Sequence, residues 1–210
     1  MAMINIRRDG IEMTKRLMIF GGTGFFGQVF IQQAIQMGYQ VISVSRTGKP
    51  KKAASWQERV HWVAADVFQP EKWRHYLKEV DVLIDAVGII KETPSKSQTY
   101  ERLNTEAAQL LAIEGKNAGI PLFVYLSAQS FTKLFLKEYF ASKKAAEVAV
   151  LLKYPQAIII RPSLIVGPTR KGTRLLQQLS PFVRLIFPTF QPQPVAVIAK
   201  ETLQKIKEHA

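Results

Sequence analysis

Residues 16–27 read RLMIFGGTGFFG: an apolar run, Leu17–Phe20, breaks without a spacer into Gly21-Gly22-Thr23-Gly24-Phe25-Phe26-Gly27. The run has strand length, and Gly24–Met37 beyond it has helical periodicity, so the glycines stand where a first strand gives way to a first helix. Their spacing satisfies both G-x-x-G-x-x-G and G-x-G-x-x-G. Such a turn needs backbone at φ > 0, room for a pyrophosphate against the main chain, and tight packing of helix on strand. A helix opening at Gly24 would aim its N–H groups and the positive end of its dipole at the phosphates. The turn predicts a bound dinucleotide, held by Gly21, Thr23, Gly24, Phe25, Phe26 and Gly27.

Further apolar runs follow at Val41–Val44, Val60–Ala64, Val82–Ala86, Leu122–Leu126 and Ala157–Ile160. Several are apolar on both faces, as buried parallel strands require. Helix candidates lie between them, near Pro70–Glu79, Gln98–Ala118 and Phe135–Lys153. The alternation predicts a Rossmann-type α/β fold, a doubly wound parallel sheet in a single domain with a short C-terminal cap. The expected division is a flexible lead-in over 1–14, the dinucleotide-binding unit over 15–168 and a cap or interaction segment over 169–210. That last segment contains a helix near Val195–His209 and is read as covering the sheet's carboxyl edge.

Composition narrows the chemistry. The 210 residues include no cysteine, which excludes disulfide scaffolds, thiolate metal sites and thiol nucleophiles. Hydrophobic residues make up 47%, enough for a full core. Lys and Arg number 29 against 16 Asp and Glu, a formal charge of +13 that favours anionic partners. His61, His75 and His209 have no metal-ligand spacing, so no metal is expected. The basic residues are not organised on a reading helix, which argues against nucleic acid. No apolar run is long enough to span a bilayer, and Met1–Met13 lacks the apolar centre of a secretory signal, so the expected address is the cytoplasm. Within 172–187, basic and apolar residues alternate at roughly helical spacing. That stretch reads as a peripheral contact with an anionic bilayer, as a lid over a substrate, or as an amphipathic helix packed on the sheet.

The end of the second strand bears on which dinucleotide is bound. An acid there would hold the ribose hydroxyls of NAD, but the segment is Ser43-Val44-Ser45-Arg46-Thr47-Gly48-Lys49. Ser45 and Arg46, with Lys49, offer hydrogen bonds and charge to a 2′-phosphate instead, so NADP is expected over NAD. Asp66, followed by Val67, could accept from the adenine amino group or simply shape a turn. Ala86-Val87-Gly88 ends the fourth strand in small residues that let a ribose and nicotinamide lie against the backbone.

Tyr139 and Lys143 stand four apart, hence on one helix face. A tyrosine near pKa 10 is a poor acid–base catalyst at neutral pH, and a neighbouring ammonium favours its phenolate. The order of GGTGFFG, Asn104 in Leu103-Asn104-Thr105-Glu106, Tyr139–Lys143 and Arg161-Pro162-Ser163-Leu164-Ile165-Val166-Gly167-Pro168 resembles the short-chain dehydrogenase/reductase superfamily. The glycine spacing and RPSLIVGP resemble its extended and atypical members, NAD-dependent epimerase/dehydratase-like proteins among them. VGIIKE and the short fifth strand are most similar to the branch containing the NADPH-binding accessory subunit of respiratory complex I. The resemblance implies that Tyr139 is the general acid/base and that Lys143 holds the cofactor ribose and lowers the tyrosine pKa. It also implies that Asn104 anchors a proton-relay water and that Pro162 lines the nicotinamide site. Members of the superfamily often end strand five in two hydroxyl residues, the second catalytic; this chain has Ser127-Ala128-Gln129-Ser130. Ser127 is therefore the candidate for polarising a substrate carbonyl, with Ser130 as a substitute.

These features predict an NADP(H)-binding oxidoreductase, or an epimerase or dehydratase that reduces its cofactor transiently, acting on a small-molecule substrate as a monomer or homodimer. The alternative is a cofactor-binding structural or regulatory protein without turnover, attached to a membrane or a larger complex.

Overall fold

The computed structural model describes residues 14–130, 136–167 and 192–209. Six strands form one sheet: β1 (Arg16–Phe20), β2 (Gln40–Ser45), β3 (Val60–Ala64), β4 (Val82–Asp85), β5 (Leu122–Leu126) and β6 (Ile158–Ile160). Their order is β3-β2-β1-β4-β5-β6, and every neighbouring pair is parallel. The chain runs outward from β1 to β3, then returns to place β4 on the other side of β1. Connections leaving β1 and β4 therefore diverge to opposite sides, which opens a crevice at the strands' carboxyl ends. The doubly wound fold expected from the apolar runs is the fold observed.

Alternation along β1 shows how the two layers are filled. Leu17 and Ile19 point to one face, where they meet Phe30, Ile31 and Ala34 of α1 (Phe25–Gln36). Met18 and Phe20 point to the other, toward Ala107, Ala108 and Leu111 of α2 (Ala107–Asn117) and Ala146 and Val150 of α3 (Lys137–Lys153). With both faces covered, no strand position in the middle of the sheet can be polar without a reason.

Three expectations change. Pro70–Glu79 is not one helix but two 3₁₀ turns, Pro70–Lys72 and Arg74–Glu79, on either side of Trp73. Trp73 is wholly buried, edge-on to Phe20, and its indole N–H donates to the carbonyls of Asp66 and Val67. A continuous α-helix would rotate that ring out of its slot. The helix sought over Gln98–Ala118 opens as a π-helical turn, Glu101–Glu106, before it becomes α2. The final helix, α4 (Val195–His209), does not sit over the carboxyl edge. It lies along α1, with Val195, Ile198, Ala199, Leu203 and Ile206 in the core of that layer. Those residues recur at helical spacing and form an apolar stripe that only a sheet face can bury. A small parallel pair, β7 (Leu164–Val166) and β8 (Pro192–Pro194), leads into α4. Phe135 and the stretch 172–187 lie outside the described residues. No helix among the described residues is long and apolar enough to cross a membrane, and none of their acidic and histidine side chains cluster to hold a metal.

Candidate functional site

A cleft of about 370 Å³ lies at the carboxyl ends of β1 to β4. Its floor is the glycine turn. Gly21 has φ +84°, and a Cβ there would stand 2.6 Å from the Ala86 carbonyl oxygen, so any side chain would collide with the end of β4. Gly24 ends the turn in extended backbone and carries no capping side chain for α1, and no acid occupies that helix's first turn. The first N–H groups of a helix have no carbonyl of their own helix to bond, so this end of α1 presents donors and positive potential to the cleft. Gly27 stands behind the turn, where a Cβ would be 2.4 Å from the Gly21 oxygen; this is the close helix-on-strand packing the motif demands. Phe26 is buried against Phe30, and the Phe25 ring packs on Gly167. The two rings thus pack inside the protein, and what these residues offer the cleft is the backbone N–H groups that open α1.

Thr23, Ser45, Arg46, Asp66, Val67, Ala86, Val87 and Gly88 all line the cleft. Their side chains are not equally available. The Ser45 hydroxyl donates to the Gly48 carbonyl at 2.8 Å, and Lys49 is paired with Glu58 at 2.5 Å. Arg46 is exposed, and no hydrogen bond or ion pair engages its guanidinium among the described residues. Asp66 accepts the Phe68 N–H at 3.0 Å, the turn-shaping role, while also lining the cleft.

The opposite lip was not foreseen. Lys96, Ser97, Gln98 and Arg102 line it, all from the connection between β4 and α2. A short antiparallel bridge, Thr93 with Gln98, closes that loop, and Ser97 at its tip takes a left-handed φ of 54°. Arg102 stacks 4.0 Å above the Phe68 ring across the cleft. The topology held the clue: a crossover leaving β4 must start over the crevice, so the polar tract that follows VGIIKE had to border it.

Behind Gly88, at the end of the cleft lining, stands Lys143 of α3. Lys143 is almost fully buried, and its Nζ donates to the Leu126 carbonyl at 2.9 Å, over the Tyr125 ring at 4.8 Å. A Cβ on Gly88 would be 3.0 Å from that Nζ and 2.9 Å from Asn104 Oδ1, so the glycine is what lets both groups approach the cleft. Asn104 sits in the π-helical turn, wholly buried. Its Oδ1 accepts the Ile89 N–H at 2.9 Å, and its Nδ2 donates to Ser142 Oγ at 3.0 Å. The extra residue of a π turn is what re-aims such a side chain. Tyr139, four residues earlier on α3, is half-buried, its ring edge-on to Tyr100 at 5.8 Å.

Ser127 and Pro162 are both held by contacts inside the protein. The Ser127 hydroxyl is buried and donates to Glu147 Oε1 at 2.7 Å, so its proton is directed into the protein. The Pro162 carbonyl accepts from Gln129 N–H at 3.0 Å, which ties the end of β5 to the segment after β6. Glu147 also takes two hydrogen bonds from Arg161, at 2.7 and 2.9 Å, and one from Lys144 at 3.0 Å. Burial alone would push this carboxyl up, but the Arg161, Ser127 and Lys144 hydrogen bonds outweigh it and hold it at about 2. A carboxyl with a lowered native pKa stabilises the fold above its ordinary value near 4.5, and that contribution fades as pH falls toward 2. Glu147→Gln is therefore expected to cost about 1–3 kcal/mol at pH 7, with the difference from wild type shrinking by pH 3, read from urea midpoints at both pH values.

Asp85, at the end of β4, is 1% exposed. Its Oδ1 accepts the Val87 N–H at 2.8 Å, and its Oδ2 has no hydrogen-bond partner among the described residues. Burial pushes this carboxyl up to about 6, against the charge of Lys143 and the Val87 N–H. Burial pushes the Lys143 ammonium down to about 8, opposed by the charges of Asp85 and Glu147.

A larger depression of about 580 Å³ lies at the opposite, amino ends of β1 to β3. Its arginines are already engaged, Arg16 with Glu79 and Gln40, and Arg59 with the Ile35 carbonyl. It also lacks the strand-to-helix turn that concentrates donors at the carboxyl ends.

Comparison with known proteins agrees with this geometry. The chain is 30% identical over 210 residues to MIOREX complex component 2 of Saccharomyces cerevisiae, covering 76% of each chain. It is 28% identical to the mitochondrial NADH dehydrogenase [ubiquinone] 1 alpha subcomplex subunit 9 of Arabidopsis thaliana, over 79% of this chain and 41% of that one. It spans about half the length of most curated relatives it matches. Among solved structures it superposes on the UDP-glucuronic acid 4-epimerase from Bacillus cereus in complex with NAD, with a TM-score of 0.70 at 14% identity, covering 91% of this chain and 74% of that one. The resemblance to extended short-chain dehydrogenases/reductases and to the complex I subunit thus holds. The family model described as NAD(P)H-binding matches residues 21–189, and the chain belongs to that family.

Proposed function

We propose that the protein binds NADP(H) in the cleft and acts as an oxidoreductase of the short-chain dehydrogenase/reductase type, or in the related epimerase or dehydratase chemistry, on a small-molecule substrate. The observation that carries this reading is the continuity of one cleft from the glycine turn, past Arg46, to Gly88, where Lys143 and Asn104 crowd against the glycine. The residues present fit the dinucleotide. The open end of α1 and the glycines suit its diphosphate, and Arg46 is the cation available to a 2′-phosphate. Lys143 suits the nicotinamide ribose. A bound nicotinamide would supply hydride exchange at its C4 carbon. Tyr139, four residues before Lys143, gives or takes the proton at the reacting oxygen. Lys143 favours the phenolate, and Asn104 holds the π turn against α3 through Ser142.

Arg46→Ala tests the cofactor choice. A charge-assisted phosphate contact contributes about 1.5–3 kcal/mol, so NADPH should bind about 10–100-fold more weakly to the variant. NADH affinity should not change. Isothermal titration with both cofactors checks this, and tighter binding of NADH than NADPH by the wild type overturns it.

One observation favours a second reading, a cofactor-binding protein without turnover. The Ser127 proton is committed to Glu147, and alanine follows at 128, so no hydroxyl from these two positions faces a substrate carbonyl. Oxidation of NADPH on a carbonyl panel separates the two readings.

A further inference from the structure

Lys143 and Asn104, which the reading above uses, stand behind Gly88 at the end of the cleft lining, and a third polar side chain is buried close to the same segment. The third, Asp85, is unexplained. A carboxylate at a strand end, 1% exposed, with one oxygen lacking any hydrogen bond among the described residues, is costly to keep. Leucine or asparagine would suit a buried strand end better. Lys143 has the mirror-image difficulty. Its ammonium is as deeply buried and has one carbonyl, that of Leu126, for its three N–H bonds. A lone buried ammonium loses its proton and would then serve a phenolate poorly.

The backbone brings the two together. Asp85 lies in register with Tyr125 on β5, and the Tyr125 ring is the platform beneath Lys143 Nζ. The hydrogen bond from Val87 N–H to Asp85 Oδ1 bends the chain just after β4, and the next residue, Gly88, is the one packed against Lys143 Nζ. Asp85 thus sets the turn that admits Lys143, and its negative charge acts on that ammonium from the end of β4. The titratable groups around that ammonium are Asp85 from β4, Tyr125 from β5 and, on its own helix, Glu147 and Tyr139. Of these, Glu147 is already neutralised by Arg161 and Lys144.

We infer that Asp85 is a positioning residue for the cofactor site, whose buried carboxylate keeps Lys143 charged and so sets the upper end of the pH range over which the site holds its dinucleotide. The inference rests on the reading that Lys143 contacts the cofactor, and the test separates the two. Asp85→Asn keeps an oxygen for the Val87 N–H but removes the charge. NADPH affinity, followed by its fluorescence, is compared between pH 6 and 9 for wild type, Asp85→Asn and Lys143→Met. Loss of the opposite charge should move the alkaline fall in affinity down by about one pH unit. Asp85→Asn should then bind within about twofold of wild type at pH 6, about fivefold more weakly at pH 8 and about tenfold more weakly at pH 9. A profile parallel to wild type at all pH values overturns the role given to Asp85. Wild-type affinity in Lys143→Met overturns instead the placement of Lys143 on the cofactor.

Melting temperatures of the double-mutant cycle give a second readout that needs no ligand. Asp85→Asn should lower Tm in the wild-type background and raise it in Lys143→Met, because there the carboxylate has lost its counter-charge. Additive shifts overturn the coupling. Should Asp85→Asn alone fail to fold, a folded Asp85→Asn/Lys143→Met double variant supports the coupling, and an unfolded one overturns it.

Discussion

Tyr139→Phe is expected to reduce turnover by about 10²–10⁴-fold while NADPH still binds within about twofold of wild type. The substitution deletes one oxygen and keeps the ring. That ring lies between Tyr100 and Phe140, with centroids at 5.8 and 5.1 Å, so α3 keeps its packing. On the proposed reading, binding survives because the turn at 21–27 holds the diphosphate and Arg46 the 2′-phosphate, both of which line the cleft, whereas Tyr139 stands on α3. Proton transfer does not survive, and neither Ser127 nor Ser142 can take it over, because Ser127 donates to Glu147 and Ser142 donates to the Tyr139 carbonyl. The check is single-turnover oxidation of NADPH across a carbonyl panel, with wild type and variant side by side. Equal, background rates in both, with binding intact in both, would establish the reading without turnover.

Gly27→Val should have the other large effect, on fold and cofactor together. A Cβ at position 27 would lie 2.4 Å from the Gly21 oxygen and 2.6 Å from Gly22 Cα. Both are backbone atoms of the phosphate turn, pinned by Gly24 N–H to Gly21 O and by Gly21 N–H to Val44 O. The turn and α1 must separate, which costs about 3 kcal/mol or more and lowers Tm by about 6–12 °C. NADPH binding should weaken by more than about 100-fold, because its donors are displaced. Gly38→Ala is the control. Gly38 has φ +90°, but a Cβ there would meet nothing within 4 Å, so strain of about 1 kcal/mol is its only penalty. Calorimetry and titration of the two variants separate clash from strain; equal affinity in both would remove the turn from the binding site.

The legible parts of this fold were those written in local pattern. Leu17–Phe20, Val82–Ile84 and Leu122–Leu126 are apolar on both faces because helices cover both, and a continuous apolar run announces that without any knowledge of neighbours. The glycine turn was legible for a similar reason, since its constraints come from atoms within a few residues. What escaped depends on partners far along the chain. Lys96 and Arg102 border the cleft only because β4 returns beside β1. Glu147 reads as one more charge on a helix, yet Ser127 and Arg161, 20 residues before and 14 after, make it a buried hub. Trp73 breaks Pro70–Glu79 into tight turns because its slot, beside Phe20, lies more than fifty residues upstream. Helical periodicity shows which residues face inward, and it leaves open which surface they will meet.

The pairing of α1 with α4 has a consequence for synthesis. These helices share one side of the sheet, yet about 160 residues separate the end of the first from the start of the second. While the ribosome makes the intervening chain, Leu122, Val124, Ile158 and Ile160 lack their final cover on that side. Closure over so long a loop is slow compared with local helix formation. The nascent protein therefore shows a greasy half-finished wall for much of its birth, a natural resting place for a chaperone until the distant helix arrives.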